Sequence, residues 1–205
     1  MSRSLNEVGA LAKRAARGAG YSWGLAEEAG EATRWLCAQG LDGCGALARL
    51  LREVDGDLSR RAPRIEGRDW RAEGALCPLT AGAALSDRAR MLEGGAVTLH
   101  AVAVPVLLLP FAAAAGPTLG GTVRLRIGSG IAYASGAGLH MDGPPIGPGP
   151  ADATVDLATP VGAIRERQSR ARMDDATLAT LEVFAHRTYA PATEESRLKG
   201  AGGAD

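Results

Sequence analysis

Apolar residues recur at helical spacing in three successive stretches at the start of the chain. Each stretch follows a side chain that can cap a helix, and these capping residues are Ser4, Ser22 and Asp42. Gly18 and Gly40 follow the first two stretches, and glycine often supplies the left-handed residue that ends a helix. The pattern predicts three neighbouring helices within residues 1–55, the first of them ending near Arg17.

Residues 96–115 form the most apolar run of the chain. His100, Pro105 and Pro110 interrupt this run, so it falls short of the roughly 20 continuous apolar residues that a membrane helix needs. Its valines favour an extended conformation. We therefore predict a buried strand with His100 as a core imidazole, and no association with a membrane.

Alternation of polar and apolar residues marks further strands. Residues 122–127 alternate with period two and lead through Gly128-Ser129-Gly130 into residues 131–133, which predicts a hairpin. Residues 142–150 are rich in proline and glycine and are predicted to form a loop. A strand over residues 153–157 and a last helix complete the pattern, and the helix can be capped by Asp174 or Asp175.

Residues 57–73 mix arginines with acidic residues around Trp70, a composition that predicts a solvated connector. The whole pattern predicts an α+β fold. An N-terminal three-helix segment precedes a largely antiparallel or mixed sheet with a C-terminal helix and a polar tail. We expect a single domain over residues 1–205. Its parts are the helical segment 1–55, an α+β body 56–185 and the polar tail 186–205.

Composition argues against several classes of function. Lysine and arginine total 23 and so do aspartate and glutamate, so the net charge is zero and provides no general attraction for nucleic acid. The cysteines lack the paired spacing of a zinc site, so we predict buried thiols and no bound metal. These cysteines are Cys37, Cys44 and Cys77. Because no secretory signal pattern opens the chain, we expect a cytoplasmic protein.

The second predicted helix carries the first candidate site. Glu27, Glu31 and Arg34 are spaced so that they share one helical face, and Glu28 and Trp35 flank them. Two neighbouring carboxylates can raise the pKa of one of them and so create a general acid. The alternative is a solvated face with an ion pair between Glu31 and Arg34.

The C-terminal segment carries the second candidate site. Its candidate residues are His186, Arg187, Tyr189, Glu194 and Arg197. We predict that residues 186–197 are ordered and pack back onto the body, because the tyrosine can anchor the segment. The alternative is a disordered end.

Three parts of the chain resemble a bacterial family that is catalogued only as a domain of unknown function. They are Ser4-Leu5-Asn6-Glu7, residues 15–20 followed by residues 23–29, and the ending 186–197. The resemblance extends over nearly the whole chain. It implies no activity, cofactor or catalytic residue, because none is known for that family.

A further stretch, Gly40-Leu41-Asp42-Gly43-Cys44-Gly45, resembles the N-terminal region of the malate and lactate dehydrogenase family that lacks a Rossmann fold. That family has Ser-His-Gly where this chain has Gly43-Cys44-Gly45, so the polar histidine is missing. The resemblance implies an oxidoreductase-like function, although a shape can persist without the site.

Three functions follow from these patterns. The leading hypothesis is that the protein binds or acts on a small polar metabolite where the helix-two carboxylates or the tail meet the strand body. The rival is a non-catalytic accessory or scaffold protein whose small-residue helices, 12–19 and 26–32, pack against another subunit. An oxidoreductase-like function is the third. The sequence assigns no cofactor and leaves both catalysis and pure binding open, and we predict a homo-oligomer, most simply a dimer.

Overall fold

The computed structural model describes residues 2–189 of the chain. Three capped helices lie at its start, as the hydrophobic pattern predicts: α1 (Leu5–Gly18), α2 (Trp23–Ala38) and α3 (Gly43–Val54). The side chains of the three predicted capping residues each accept a hydrogen bond from a backbone N–H three residues further on. At the first of them, Glu7 also accepts a hydrogen bond from the backbone N–H of Ser4, which completes a capping box.

The end of α1 differs from the prediction in one respect. The residue with positive φ is Gly20, at +100°, whereas Gly18 is the last residue of the helix. Gly18 is needed for space, because a Cβ at this position would lie 1.7 Å from the carbonyl oxygen of Phe184. Phe184 belongs to α6 (Asp175–His186), which is capped by Asp174 and packs across α1.

Seven strands form one mixed sheet in the order β2–β3–β4–β8–β5–β6–β7. Their bounds are β2 (Arg64–Glu66), β3 (Asp69–Arg71), β4 (Val97–Val102), β5 (Val123–Ile127), β6 (Gly130–Ser135), β7 (Gly138–Asp142) and β8 (Ala151–Leu157). All neighbouring pairs are antiparallel except β3 and β4, which are parallel. A separate antiparallel pair joins β1 (Ser2–Ser4) to β9 (Arg170–Arg172). The predicted α+β class, the hairpin and the strand near residues 153–157 are confirmed.

Two segments between these elements were predicted wrongly. The connector around Trp70 contains the β2–β3 hairpin, and the indole is fully buried rather than solvated. The apolar run is a strand only as far as Val102, after which a short 3-10 helix leads into α5 (Leu109–Leu119). Pro105 and Pro110 lie in the first turns of these two helices, where a missing N–H costs nothing. The sequence pattern also gave no sign of α4 (Pro78–Asp87).

The alanine-rich faces of α1 and α2 are buried within the protomer. The two helices approach closely where Gly9 and Gly30 meet, because a Cβ on Gly30 would lie 2.8 Å from the Gly9 carbonyl oxygen. The buried alanines of this interface are Ala12, Ala15, Ala16, Ala26, Ala29 and Ala32. The homo-oligomer remains a prediction, but these faces cannot supply its contact, so only the general prevalence of closed symmetry supports it.

A long loop between β8 and β9, residues 158–169, is named here the crossing loop. Its Arg165 N–H donates to the carbonyl oxygen of Leu139 over 2.8 Å, and its Gln168 N–H donates to that of Ala38 over 2.8 Å. These bonds fix the loop against β7 and the end of α2. Within residues 2–189, no helix is both long and apolar enough to cross a membrane.

Candidate functional site

A cavity of about 340 Å³ lies between α2, α5 and the turn from β6 to β7, and is named here the α2–α5 cavity. Its apolar walls are formed mainly by Leu5, Trp35, Pro110, Phe111, Ala113 and Pro117. Four charged side chains also line it: Glu28, Glu31, Arg34 and Arg167. Apolar walls with a few polar groups are typical of small-molecule sites, and the volume is at the lower end of their range.

The charged residues of this cavity differ in whether they have a partner. Arg34 Nη1 donates to a carboxylate oxygen of Glu31 over 3.0 Å, which is the ion pair given above as the alternative interpretation of this face. The side chains of Glu28 and Arg167 make no hydrogen bond or ion pair with any other residue between 2 and 189. One carboxylate and one guanidinium are therefore free to bind a ligand at the edge of the cavity.

Glu27 lies apart from this cavity. It is ion-paired with Lys13 and lines a groove between α1 and α2 that also includes Glu31 and Arg34. The helix-two candidates thus divide between two neighbouring surfaces of α2.

The C-terminal candidates lie on the other side of α1. His186 is the last residue of α6 rather than the first residue of a tail, and with Tyr189 it lines a groove between α1 and α6. Arg187 donates two hydrogen bonds to the Asp55 carboxylate, over 2.6 and 2.9 Å. In the described part of the chain, none of the cavities above combines these residues with the helix-two carboxylates. Glu194 and Arg197 lie outside the described residues.

A larger cavity of about 590 Å³ lies on the other side of the crossing loop, and sequence analysis did not predict it. It is lined mainly by Cys37, Asp42, Arg165, Glu166, Arg170 and Arg172, and is named here the arginine cavity. Arg165 Nε donates to the Gln39 carbonyl oxygen over 2.8 Å, and Arg170 Nε donates to Ser2 Oγ over 2.9 Å. The signal for this cavity was the concentration of arginines in residues 165–172.

His100 was predicted to lie in the core, but it lies at the surface between two carboxylates. Its Nε2 is 3.0 Å from Asp69 and its Nδ1 is 3.3 Å from Asp152, and its side chain is 25% exposed. The reason is a bulge in β4 after Leu99, where Ala101 has a φ of +48°. The Ala101 N–H donates to Asp152, and this bond, with a smaller contribution from His100, lowers the pKa of that carboxyl.

The described residues include no group of three or more histidines, cysteines, aspartates or glutamates arranged to hold a metal ion. The cluster around His100 is a hydrogen-bonded network that joins β3, β4 and β8. It has no cavity among those described above.

The comparison with protein families finds a match in the N-terminal part of the chain. Residues 3–81 match the model of a family described as a protein of unknown function, DUF3726. The resemblance to a domain of unknown function is confirmed over residues 3–81, and the match does not extend to the ending 186–197. The matched stretch contains Glu28 of the α2–α5 cavity and Cys37 of the arginine cavity, whereas the arginines that the crossing loop and β9 contribute lie beyond it.

Comparison with individual proteins adds little about activity. No curated protein matches the chain. A solved structure, malate dehydrogenase from Entamoeba histolytica, is similar over 65% of this chain and 43% of that one, with 9% sequence identity and a TM-score of 0.44. The chain spans less than half the length of that enzyme. Similarity at this level fits the oxidoreductase-like alternative only loosely and carries no argument about function.

Proposed function

We propose that the protein binds a small polar metabolite in the α2–α5 cavity, one that combines an apolar part with both an anionic and a cationic group. The observation that carries this proposal is the free pair of opposite charges, Glu28 and Arg167, at the edge of an apolar cavity. The proposal concerns binding, and catalysis is not part of it.

The walls determine which part of the ligand lies where. Trp35 and Phe111 present ring surface to the apolar part of the ligand, and burying that part away from water provides a general, weakly selective attraction. A carboxylate or phosphate would accept hydrogen bonds from the Arg167 guanidinium, which presents two parallel donors. An amine would donate to the Glu28 carboxylate. Charge-assisted bonds of this kind orient a ligand and set its selectivity.

The size of the cavity restricts the ligand further. A volume of about 340 Å³ suits a molecule of amino-acid or short dicarboxylate size rather than a nucleotide with several phosphates. We therefore expect zwitterionic metabolites with an apolar side group to bind best, followed by simple carboxylates, with uncharged analogues binding least.

The test is a thermal-shift screen of the full chain against amino acids, short dicarboxylates, primary amines and matched uncharged amides. A true ligand raises the melting temperature in a concentration-dependent way, because it binds the native state only. Calorimetry on the best compound then compares the native protein with Arg167→Ala and Glu28→Gln. Loss of Arg167 should weaken an anionic ligand about tenfold or more, the value of one charge-assisted hydrogen bond.

The matched control is Arg172→Ala, which removes the same charge from the arginine cavity instead. It should leave the affinity unchanged, since Arg172 does not line the α2–α5 cavity. The proposal fails if no compound in the screen stabilises the protein, or if Arg172→Ala and Arg167→Ala weaken binding equally.

A further inference from the structure

Two cysteines that the sequence places seven residues apart are neighbours in the structure. Cys37 is in the last turn of α2 and Cys44 is in the first turn of α3, and the short turn between the helices brings their sulfur atoms to 3.8 Å. A disulfide needs a sulfur–sulfur distance of about 2.05 Å. Rotation of the two side chains, with a small adjustment of the turn, would bring the sulfur atoms to that distance.

The two thiols have different environments. The contact with the Cys44 thiol, 3.8 Å from the Cys37 sulfur, together with the nearby backbone N–H groups of Gly43 and Cys44, lowers the pKa of Cys37 against the opposing effect of burial. The same contact and burial raise the pKa of Cys44. The contact between the two sulfur atoms therefore favours a thiolate at Cys37 over one at Cys44. A thiolate, rather than a thiol, is the nucleophilic form of cysteine.

Access also distinguishes the two cysteines. Both cysteines are buried, Cys37 at 4% exposed and Cys44 at 1%, but only Cys37 lines the arginine cavity. Cys77, the third cysteine of the chain, is fully buried beside the Tyr21 hydroxyl, 3.2 Å from it. A small reagent in the arginine cavity therefore meets Cys37 first.

We propose that Cys37 and Cys44 form a redox-active pair that reduces a small hydroperoxide, with Cys37 as the attacking residue and Cys44 as the resolving residue. This activity belongs to the arginine cavity and is independent of the metabolite binding proposed for the α2–α5 cavity. Each proposal can fail without the other.

The reaction has two steps. The Cys37 thiolate attacks one peroxide oxygen, so that a sulfur–oxygen bond forms, the oxygen–oxygen bond breaks, and the leaving oxygen takes a proton and departs as water or an alcohol. The Cys44 sulfur then attacks the Cys37 sulfur, the new sulfur–oxygen bond breaks, and the hydroxyl leaves with the Cys44 proton as water. Two thiols are oxidised to one disulfide and one hydroperoxide is reduced.

The experiment exposes the folded full chain to equimolar hydrogen peroxide and maps the products by intact mass and by peptide mass spectrometry without reduction. The expected result is a mass decrease of two hydrogen atoms, a cross-linked peptide that joins Cys37 to Cys44, and a free thiol at Cys77. Dithiothreitol should restore the original mass.

Three single variants assign the roles. Cys44→Ser should stop the reaction at a sulfenic acid on Cys37 that dimedone traps. Cys37→Ser should slow oxidation at Cys44 about tenfold or more, because a thiol of raised pKa attacks slowly. Cys77→Ser is the matched control and should leave both the rate and the product unchanged.

Two results would overturn the proposal. One is that the folded protein keeps three free thiols under peroxide that oxidises the same chain in urea. The other is that Cys77 reacts as fast as Cys37. Peptide mapping of the unsubstituted protein decides between these outcomes even if a cysteine variant does not fold.

Discussion

The α2–α5 cavity and the arginine cavity lie on either side of the same two pieces of chain. The end of α2 contributes Trp35 and Ala38 to the first and Cys37 to the second. The crossing loop contributes Arg167 to the first and its neighbours in sequence, including Arg165, to the second. One helix turn and one loop therefore supply residues to two cavities.

The two cavities differ in what surrounds their charges. α5 closes the first with apolar side chains, so that the free Glu28 and Arg167 are set against an apolar wall. The second is lined by three arginines, and a cysteine is among its other lining residues. The first is suited to holding a ligand and the second to admitting a small reagent. If this contrast is correct, a change on one side should leave the measurement on the other side unaltered.

The largest expected effect is on stability, from Phe111→Ala in the α2–α5 cavity. The ring is 3% exposed and packs against Gly82, where an added Cβ would lie 2.3 Å from it. Truncation should lower the free energy of unfolding by about 3 to 5 kcal/mol, through lost burial and a new void. Urea denaturation measures the change.

Phe111→Ala should leave the rate of Cys37 oxidation unchanged in the absence of denaturant, since the ring does not line the arginine cavity. A loss below about 1 kcal/mol would show that Phe111 is not an integral part of the wall. A slower oxidation of Cys37 would show that the two cavities are coupled.

An intermediate effect is expected at Cys37 itself. Its lowered pKa predicts that the rate of alkylation by iodoacetamide rises with pH through a midpoint below the value of about 8.5 that is usual for a thiol. The negative charge of Asp42 raises the pKa of Cys37, so Asp42→Asn should move the midpoint lower still. Asparagine retains the helix cap, so the substitution isolates the charge.

Peptide mass spectrometry measures the rates, which at neutral pH should rise about two- to fivefold in Asp42→Asn. Affinity for a ligand of the α2–α5 cavity should not change. A midpoint at or above that of a free thiol would contradict the assignment of Cys37 as the reactive residue.

The smallest effect is expected outside both cavities, at the ion pair of Asp55 and Arg187. The hydrogen bonds from Arg187 lower the pKa of the Asp55 carboxyl in the folded protein. A carboxyl whose pKa is lower in the folded than in the unfolded state stabilises the protein above its unfolded pKa of about 3.9, and this contribution is lost as the pH falls through the folded value. Both groups are well exposed, so the contribution should be under about 1 kcal/mol.

Asp55→Asn should remove this part of the dependence of folding stability on pH. It should leave ligand binding and Cys37 oxidation unchanged. Thermal unfolding between about pH 3 and pH 6 measures it. A change in ligand affinity or in the rate of Cys37 oxidation in Asp55→Asn would indicate that Arg187 contributes to a site, as the sequence predicts. No change is expected if Arg187 only connects α6 to the end of α3.

Predictions from sequence succeeded where the signals were local. The caps at Ser4, Ser22 and Asp42 and the period of the apolar residues located α1 to α3, because capping and helical periodicity depend on residues three or four apart. They failed over residues 105–119, where a helix that is apolar on every side shows no period and resembles a buried strand. Predictions of sites met the same limit, since Glu31 and Arg34 share a helix face as expected, whereas the end of α6 lies across α1 from them.

The sequence by itself determined the three capped helices, the hairpin over residues 122–133, the last helix and the α+β class. The tertiary structure alone decided that α5 forms a cavity with α2 and that Arg167 lines this cavity together with the helix-two carboxylates, which are far from it in sequence. It also decided that Cys37 and Cys44 are in contact. It also placed His100 between two surface carboxylates rather than in the expected core. The reason is that these groupings depend on how separate elements pack, and packing joins residues whose separation in sequence carries no signal of their contact.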